Sequence, residues 1–241
     1  MPAYNEAGCI EKVVLSWLAQ GKKLFASNFR LIVVNDGSRD NTGDILNKLQ
    51  ATEPNLTVVH QENQGHGAAL LHAYRKSLEF SPKYVFHVDS DDQFITDDFS
   101  KLWARRSESR FILGHRIQRQ DAFHRLVITQ ILRSVLFVVF GTWILDSNIP
   151  FRLIEGNTLK AYLAALPQDI FAPNIFLAVM AAKNGERLLN IPIHHESRKT
   201  GTVSIMRLKL LKVCIRSVKE LILFRMNLSK EGHAACVKKE V

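Results

Sequence analysis

The residues best suited to chemistry form an acidic segment, Asp89-Ser90-Asp91-Asp92-Gln93, at the end of the apolar run YVFHVD (84–89). If extended geometry continued past this run, alternate side chains would share one face, which would bring Asp89, Asp91 and Gln93 together. Three oxygen donors of this kind suit a hard cation such as Mg²⁺ or Mn²⁺. The alternative is a solvated, aspartate-rich turn without a metal. Because the segment follows a buried strand in a basic protein, the metal site stands as an equal candidate.

Two further polar turns follow apolar runs. Asp36 ends LIVVND (31–36), and its carboxylate either accepts hydrogen bonds from a nucleobase or ribose or forms part of an ordinary turn. Gly65 and Gly67 open a predicted helix, where glycine permits close backbone approach and the helix N-terminus favours anions. No Gly-Lys-Ser/Thr follows them, which excludes a Walker loop.

Apolar periodicity in the first half of the chain indicates alternating strands and helices. We predict strands at 31–36, 56–60, 84–89 and 110–116, and helices at 40–50, 67–80 and 97–106. This order implies an α/β fold with a Rossmann-like, mostly parallel sheet and flanking helices. In such sheets ligands bind at the carboxyl ends of the strands, where the polar clusters fall.

The second half is more helical. We predict helices at 122–141, 155–165 and 173–184, and a basic amphipathic helix at 206–228 before a polar tail at 229–241. A strand at 189–195 contains Pro192, which places it at a sheet edge because proline cannot donate to a ladder. The most apolar run, 135–145, is far shorter than the roughly 20 residues of a membrane-spanning helix.

Composition narrows the class of protein. The chain has 241 residues, 46% of them hydrophobic, and a net charge of +9, which suits one domain with an anionic partner. Cys9, Cys214 and Cys236 are odd in number and far apart, so we expect reduced thiols in a cytoplasmic protein. Met1 leads directly into a polar turn, and we expect no signal peptide.

Four motifs in order identify a resemblance. The segments PAYNE (2–6), VVNDGSRDNT (33–42), NQGHGAAL (63–70) and VDSDDQ (88–93) together resemble the GT-A glycosyltransferases of family two. The likeness is greatest to the dolichyl- or polyprenyl-phosphate sugar synthases and their bacterial relatives. It covers about residues 1–204, taken as the catalytic domain, with 205–228 as the amphipathic helix and 229–241 as the tail.

On the donor side, the resemblance implies a nucleoside diphosphate sugar. Pro2, Tyr4 and Glu6 match the segment that grips the nucleoside, and Asp36 matches the aspartate that reads the base. Gly65 and Gly67 belong to the same substrate-binding set. Asp89 and Asp91 match the D-x-D pair, and Gln93 matches the third metal ligand of the polyprenyl-phosphate branch.

On the acceptor side, the resemblance implies a set of arginines. Arg116 lies in a G-x-R element, and Asp146 and the FRL segment at 151–153 match a stretch beside the acceptor pocket. Arg198 belongs to a loop that resembles R-x-x-G-x-S, although its serine, Ser204, comes one position late. Arginine remains charged and binds phosphate with a planar fork, so Arg116, Arg152 and Arg198 are expected to act in catalysis with Asp91. Each of them is alternatively a solvated surface charge. His194 and His195 are read as structural, although either is a candidate base.

The implied reaction is inverting transfer of a sugar to a lipid-linked acceptor, preferably a polyprenyl phosphate. An acceptor that is already an anion needs no catalytic base. The alternatives are a family-two transferase acting on a glycan or other non-phosphate acceptor in cell-envelope polysaccharide synthesis, a nucleotidyltransferase, and a nucleotide-sugar-binding protein without activity. We expect no nucleic acid partner.

Two expectations concern the ends of the domain. The family places an apolar strand before the PAYNE segment, so a vacant slot is predicted between residues 31–35 and 84–88. At the other end, Lys209, Lys212, Arg216 and Lys219 interleave with apolar residues at helical spacing. This helix either packs on the domain or attaches the protein peripherally to a membrane surface, where a membrane-embedded partner is a further candidate.

Overall fold

The computed structural model describes residues 1–117, 123–167, 170–196 and 219–226, with the backbone alone for 123–129. All statements below concern these residues. Arg198, Ser204 and the basic residues at 209, 212 and 216 lie outside them, so the predictions made for those positions remain predictions.

The first half of the chain builds a parallel sheet of three strands in the order β1-β2-β3. These are β1 (Pro2–Ala3), β2 (Leu31–Asp36) and β3 (Leu56–Gln61), and they are linked by α1 (Ile10–Phe25) and α2 (Thr42–Thr52). The β-branched run of β2 is buried on both faces, as expected for a strand inside a parallel sheet. The helix α3 (His66–Leu78) then leads to the second sheet.

The second sheet is mixed and has the order β4-β6-β5-β7. Its strands are β4 (Tyr84–His87), β5 (Phe111–Arg116), β6 (Arg152–Glu155) and β7 (Leu188–Ile193). The strand β6 runs antiparallel to β4 and β5, whereas β5 and β7 are parallel. The remaining helices are α4 (Asp98–Ala104), α5 (Phe123–Phe140), α6 (Gly156–Ala165) and α7 (Pro173–Lys183), and residues 219–226 are also helical.

Most predicted elements are present, and the predicted α/β class is confirmed. The strand with Pro192 lies at the edge of its sheet, as its proline requires. Three elements were not predicted from the sequence: β1, α1 and β6. The residues of β6 were expected only to lie beside the acceptor pocket, but they form a buried central strand between β4 and β5.

A slot separates the two sheets. No ladder joins β2 to β4, and a cavity of about 820 Å³ lies between them, lined by Leu31 and Ile32 on one side and by residues 84–88 on the other. The amino group of Met1 lies at one end of this cavity and donates to the carbonyl of Ile32 at 3.0 Å. The slot therefore has the predicted location, where β1 would continue backward along β2.

The helices of the second half leave an apolar surface exposed. On α5 and the turn after it, Ile131, Phe137, Val138 and Trp143 are each more than half exposed, and the rings of Phe137 and Trp143 are in contact. In the helical segment 219–226, Leu221 and Phe224 are buried while Leu223 and Met226 are exposed. Within the described residues, no helix combines the length and apolarity that crossing a bilayer requires.

Candidate functional site

The loops after β1 and β2 are locked together at the carboxyl end of the first sheet. The backbone N–H of Asn5 donates to Ser38 Oγ at 3.0 Å, and that of Glu6 donates to Thr42 Oγ1 at 2.9 Å. Asp40 accepts from the backbone of both Ala7 and Thr42. Burial alone would raise the pKa of Asp40, but these hydrogen bonds outweigh it and lower the pKa, so Asp40 remains an anion.

The acidic segment is anchored to the first of these loops. Ser90 Oγ donates to the carbonyl of Pro2 at 2.9 Å, and Cys9 Sγ approaches the carbonyl of Ser90 at 3.5 Å. Glu6 is buried and its carbonyl accepts from the first residues of α1, whereas Tyr4 is exposed. The predicted nucleoside segment and the predicted metal segment thus meet at one edge of the fold.

Asp36 is placed differently from the expected base-reading aspartate. Its Oδ1 accepts from the side chain of Gln61 at 2.7 Å and from the backbone of Gln64 at 2.9 Å, and its Oδ2 accepts from the backbone of Gly65 at 2.9 Å. Only 3% of the residue is exposed. In this structure Asp36 fixes the loop before α3, and the structure does not present its carboxylate to a ligand.

The two glycines before and within α3 have different reasons to be glycine. Gly65 has a φ of +89°, a conformation that L side chains rarely adopt. At Gly67, an added Cβ would lie 2.4 Å from the carbonyl oxygen of Phe171 and 2.8 Å from that of Ile170. The close approach that Gly67 permits is therefore to another segment of this chain.

Asp89 lies just past the end of β4 with one quarter of its side chain exposed. Its Oδ1 is 3.4 Å from His87 Nε2 and 3.9 Å from His66 Nε2. Burial on its own would raise the pKa of Asp89, but the two histidines outweigh it and hold the pKa below its usual value. The carboxylate is therefore ionised at neutral pH, as a ligand of a hard cation must be.

The alternation predicted for the acidic segment does not occur. The strand β4 ends at His87, and Asp92 has a φ of 57°, which turns the chain away from extended geometry. The Gln93 amide donates to the carbonyl of Glu196, and the backbones of the two residues are also hydrogen bonded. The structure therefore gives Gln93 Nε2 a partner in the segment after β7. A metal would be bound by the other amide atom, Oε1, so Gln93 as a third metal ligand stays a prediction.

The residues present still fit a divalent cation. Carboxylate oxygens of Asp89 and Asp91 are buried at the end of β4, and this donor type is the one that Mg²⁺ and Mn²⁺ prefer. No group of three or more acidic, histidine or cysteine side chains arranged for a metal occurs in the part of the chain that the structure describes. A Mg²⁺-type site commonly has only one or two carboxylates, with water and substrate phosphate completing it.

Two predicted acceptor residues are in direct contact. Arg116 ends β5, and its Nε and Nη2 donate to Asp146 Oδ2 at 3.1 and 3.0 Å. Both side chains are largely buried. The G-x-R element and the aspartate before the FRL segment therefore form one ion pair, as expected if they line a common pocket.

Arg152 requires a correction. Its side chain is fully buried, and the guanidinium donates to the backbone carbonyls of Ile149, Asn174 and Ser147. These carbonyls accept four hydrogen bonds from the five N–H donors of the guanidinium, and the side chain has no exposed surface at which a phosphate could reach it. The role expected for Arg152 in catalysis is not supported. In this structure it joins β6 and the loop before it to α7.

His194 and His195 take structural positions, as expected. The backbone N–H of His194 donates to Asp98, and its Nδ1 lies 3.1 Å from Asp98 Oδ2. Burial would raise the pKa of Asp98, but Lys101 and His194 outweigh it and lower the pKa. His195 forms an isolated bridge with Phe94, against whose ring it packs.

Sequence reasoning missed His87. It is a buried polar side chain in an apolar strand, two residues before Asp89, and it faces both Asp89 and the ring of Tyr74. The signal was visible in YVFHVD, where a histidine interrupts a run whose other members before the aspartate are apolar. Burial lowers the pKa of His87 to about 4, so the ring is neutral at neutral pH.

The site does not lie at the slot between the sheets, the cavity of about 820 Å³ described above. A smaller cavity of about 220 Å³ adjoins the acidic segment and is lined by Asp89, Asp92, Gln93, Lys12 and Glu196. Position after a strand and the chemistry of the side chains therefore locate the site better than cavity size does.

Comparison with known proteins supports the assignment of the fold. A solved structure of glucosyl-3-phosphoglycerate synthase from Mycobacterium tuberculosis, in complex with Mn²⁺, UDP and phosphoglyceric acid, has a TM-score of 0.67 and 16% identity, over 93% of this chain and 76% of that one. At this identity the likeness shows a shared GT-A fold.

Two relatives are similar in sequence. A UDP-N-acetylglucosamine–dolichyl-phosphate N-acetylglucosaminyltransferase from Methanococcus voltae is 24% identical over 80% of this chain and 82% of its own length. An undecaprenyl-phosphate 4-deoxy-4-formamido-L-arabinose transferase from Proteus mirabilis is 23% identical over 88% of this chain, which spans 64% of that protein.

The family model for glycosyl transferase family 2 matches residues 1–155, which contain β1 to β6, the acidic segment and the Arg116–Asp146 pair. The chain therefore belongs to glycosyl transferase family 2 and is a nucleotide-sugar-dependent glycosyltransferase.

Proposed function

We propose that the protein transfers a sugar, with inversion, from a nucleoside diphosphate sugar to a polyprenyl phosphate. The main support is the acidic segment after β4, in a family-two chain whose named relatives act on dolichyl or undecaprenyl phosphate. The loops after β1 and β2 meet this segment at one edge of the fold, where a nucleotide would reach all three.

Asp89 and Asp91 would hold Mg²⁺ or Mn²⁺, which when bound supplies positive charge to the diphosphate as it departs. The protein's own part is to fix this segment, through Ser90 and Pro2, relative to the loop that receives the nucleoside. Rigid placement of this kind lowers the cost of bringing donor and acceptor together.

The acceptor is assigned to the side of Arg116 and Asp146. Asp146 fixes the Arg116 guanidinium in one orientation, and an arginine held in this way needs little further ordering to bind a phosphate. Arg198 is proposed as a second phosphate ligand on the basis of its motif alone. The phosphate acceptor carries its own negative charge, so the geometry needs no histidine as base.

Access to a lipid acceptor is assigned to the exposed apolar surface of α5 and the turn after it. Ile131, Phe137, Val138 and Trp143 make this surface, and the net charge of +9 favours an anionic leaflet. We propose peripheral attachment to the membrane at this side of the molecule.

The test is transfer from radiolabelled UDP- and GDP-sugars in the presence of Mn²⁺. Matched acceptors are a short polyprenyl phosphate and the corresponding polyprenol, both in detergent. The expected result is labelled lipid with the phosphate and none with the alcohol. Transfer to the alcohol, or to added glycan only, would contradict the phosphate acceptor.

A further inference from the structure

We propose that His87 is a positioning residue that holds one oxygen of Asp89, so that the carboxylate offers its other oxygen to a divalent cation. This role rests on the proposed function of the acidic segment. The proposal gives a role to the buried imidazole of His87, which takes no part in binding the sugar donor or the lipid acceptor as proposed above.

The placement of His87 is specific. It is the last residue of β4, only 2% of it is exposed, and the residues before it are apolar. Residues two apart in extended chain point to the same side, and His87 Nε2 indeed lies 3.4 Å from Asp89 Oδ1. The ring edge packs against Tyr74, with centroids 5.5 Å apart and planes at 73°, which restricts rotation of the imidazole.

The polar atoms involved have few other partners. Neither ring nitrogen of His87, nor Oδ1 of Asp89, has a protein hydrogen bond of good geometry among the described residues. A buried polar atom without a partner lowers the stability of the folded state. A leucine would fill the same space without that cost, so a role for the imidazole is a better account than packing.

The tautomer follows from electrostatics. A neutral imidazole has one N–H and one lone pair, and a lone pair on Nε2 would face a carboxylate oxygen and be repelled by it. The proton therefore belongs on Nε2, where it points at Asp89. The present separation of 3.4 Å exceeds the roughly 2.8 Å of a charge-assisted hydrogen bond, and a small side-chain rotation would close it.

Arg152 lies opposite His87 in the ladder between β4 and β6, and its buried guanidinium is bonded to backbone carbonyls and leaves Asp89 to His87. An N–H on Nε2 orients the Asp89 carboxylate by pointing at Oδ1. This is the arrangement by which a neighbouring donor fixes a carboxylate ligand of a metal.

The experiment compares His87→Gln, which keeps an N–H donor near the position of Nε2, with His87→Leu, which keeps bulk and removes the donor. Melting temperature is measured against MnCl₂ concentration in the presence of UDP or GDP. His87→Leu is expected to raise the MnCl₂ concentration at half-maximal stabilisation about tenfold. His87→Gln should stay within about threefold of wild type by the same reasoning.

Two controls separate positioning from packing. Melting in EDTA reports the stability of each variant without metal, and Tyr74→Phe removes a different buried polar group beside the same ring. Tyr74→Phe should leave the MnCl₂ half-point unchanged. A purely structural His87 would lower the melting temperature in EDTA while leaving the half-point of His87→Leu at the wild-type value, and that result would overturn the role.

The outcomes also distinguish failure of the positioning role of His87 from failure of the proposed metal site. If wild-type protein shows nucleotide-dependent stabilisation by MnCl₂ and His87→Leu matches it, only the positioning role fails. If wild-type protein shows none with either nucleotide, the metal site fails and the positioning role fails with it.

Discussion

Asp91 and Asp92 are adjacent carboxylates in different surroundings. Asp91 has an oxygen buried at the end of β4, whereas Asp92 pairs with Lys12, whose side chain is two-thirds exposed. A surface ion pair of this kind contributes little to the stability of the folded protein. We predict that Asp91→Asn lowers transfer by roughly 10²-fold or more, because it removes charge from the proposed cation site, while Asp92→Asn stays within about threefold.

Both variants are measured for turnover and for melting temperature, since an unfolded enzyme is also inactive. The melting temperatures should match that of the wild type. Near-normal turnover of Asp91→Asn would remove Asp91 from the metal site and leave the solvated-turn interpretation of the acidic segment.

Arg152 gives the second prediction at this scale. Replacing it by methionine leaves buried carbonyls of Ser147, Ile149 and Asn174 without their donor. We expect a loss in the free energy of unfolding of roughly 3 kcal/mol or more, measured by urea titration. Unchanged stability together with a raised KM for the lipid acceptor would restore the phosphate-binding role expected from the sequence.

The sequence predicted which residues cluster better than it predicted what they do. Asp89, Asp91 and the Arg116–Asp146 pair were found because each follows a strand or lies in a motif. Asp36 and Arg152 were assigned to ligands, yet Arg152 donates to backbone carbonyls, and Asp36 accepts from backbone N–H groups and from the Gln61 side chain. Backbone groups exist at every position, so sequence pattern does not reveal where a charged side chain will meet them.

At the scale of elements, the segments that were not predicted differ in cause. The strands β1 and β6, of two and four residues, are too short to show a period, and their strand character comes from the strands beside them. Tertiary pairing, rather than local propensity, decides such short strands. The helix α1 is different, because its buried residues Ile10, Val13, Val14 and Trp17 recur at helical spacing, which does predict a helix.

The helix α5 gives the prediction at this scale. Val138 is 81% exposed and lies beside Phe137, with Trp143 packed on that ring. We predict that Val138→Asp reduces co-sedimentation with anionic liposomes several-fold, because a charge on an apolar membrane-facing surface must remain hydrated. Sedimentation is measured at low salt and repeated at high salt, where the electrostatic part of binding is screened.

The matched control is Leu15→Asp, an exposed apolar residue of α1 on another element. It should bind liposomes as the wild type does. Equal loss in both variants would indicate an effect of net charge alone, and no loss in Val138→Asp would remove α5 from the membrane surface.

At the scale of the whole molecule, two sheets share one core around a slot. Aromatic side chains pack on one another between the sheets: Trp17 of α1, Phe86 of β4, Phe99 of α4 and Phe151 just before β6. The first three of them also line the cavity of about 820 Å³, across which no ladder joins β2 to β4. Stability is therefore expected to depend on what the slot contains.

The buried amino group of Met1 makes the stability of the folded protein depend on pH. Burial lowers its pKa from 8.0 to about 5, so between pH 5 and 8 it is protonated in the unfolded chain and neutral in the folded one. The unfolded state binds more protons in this window, and stability should rise with pH by at most about 4 kcal/mol. His87 acts in the same direction between about pH 4 and 6.5. Urea titrations from pH 5 to 8 measure the slope, and a flat profile above pH 6.5 would contradict burial of the amino group.

The last prediction is that an apolar extension before Met1 fills the slot. The carbonyl of Met1 already accepts from Val34. In the register of β1, four further extended residues would run past Leu31 to the level of Phe29, with β4 on their other side. Burial of each apolar side chain contributes about 1.5–3 kcal/mol, against about 1–2 kcal/mol for ordering its backbone, so a net gain of a few kcal/mol is expected.

A Gly-Ser extension of equal length is the control, because it also replaces the amino group by an amide but buries no apolar surface. Both extensions should abolish the rise in stability between pH 6.5 and 8, and only the apolar one should raise the melting temperature further. Equal melting temperatures for the two extensions would show that the slot does not accept a strand.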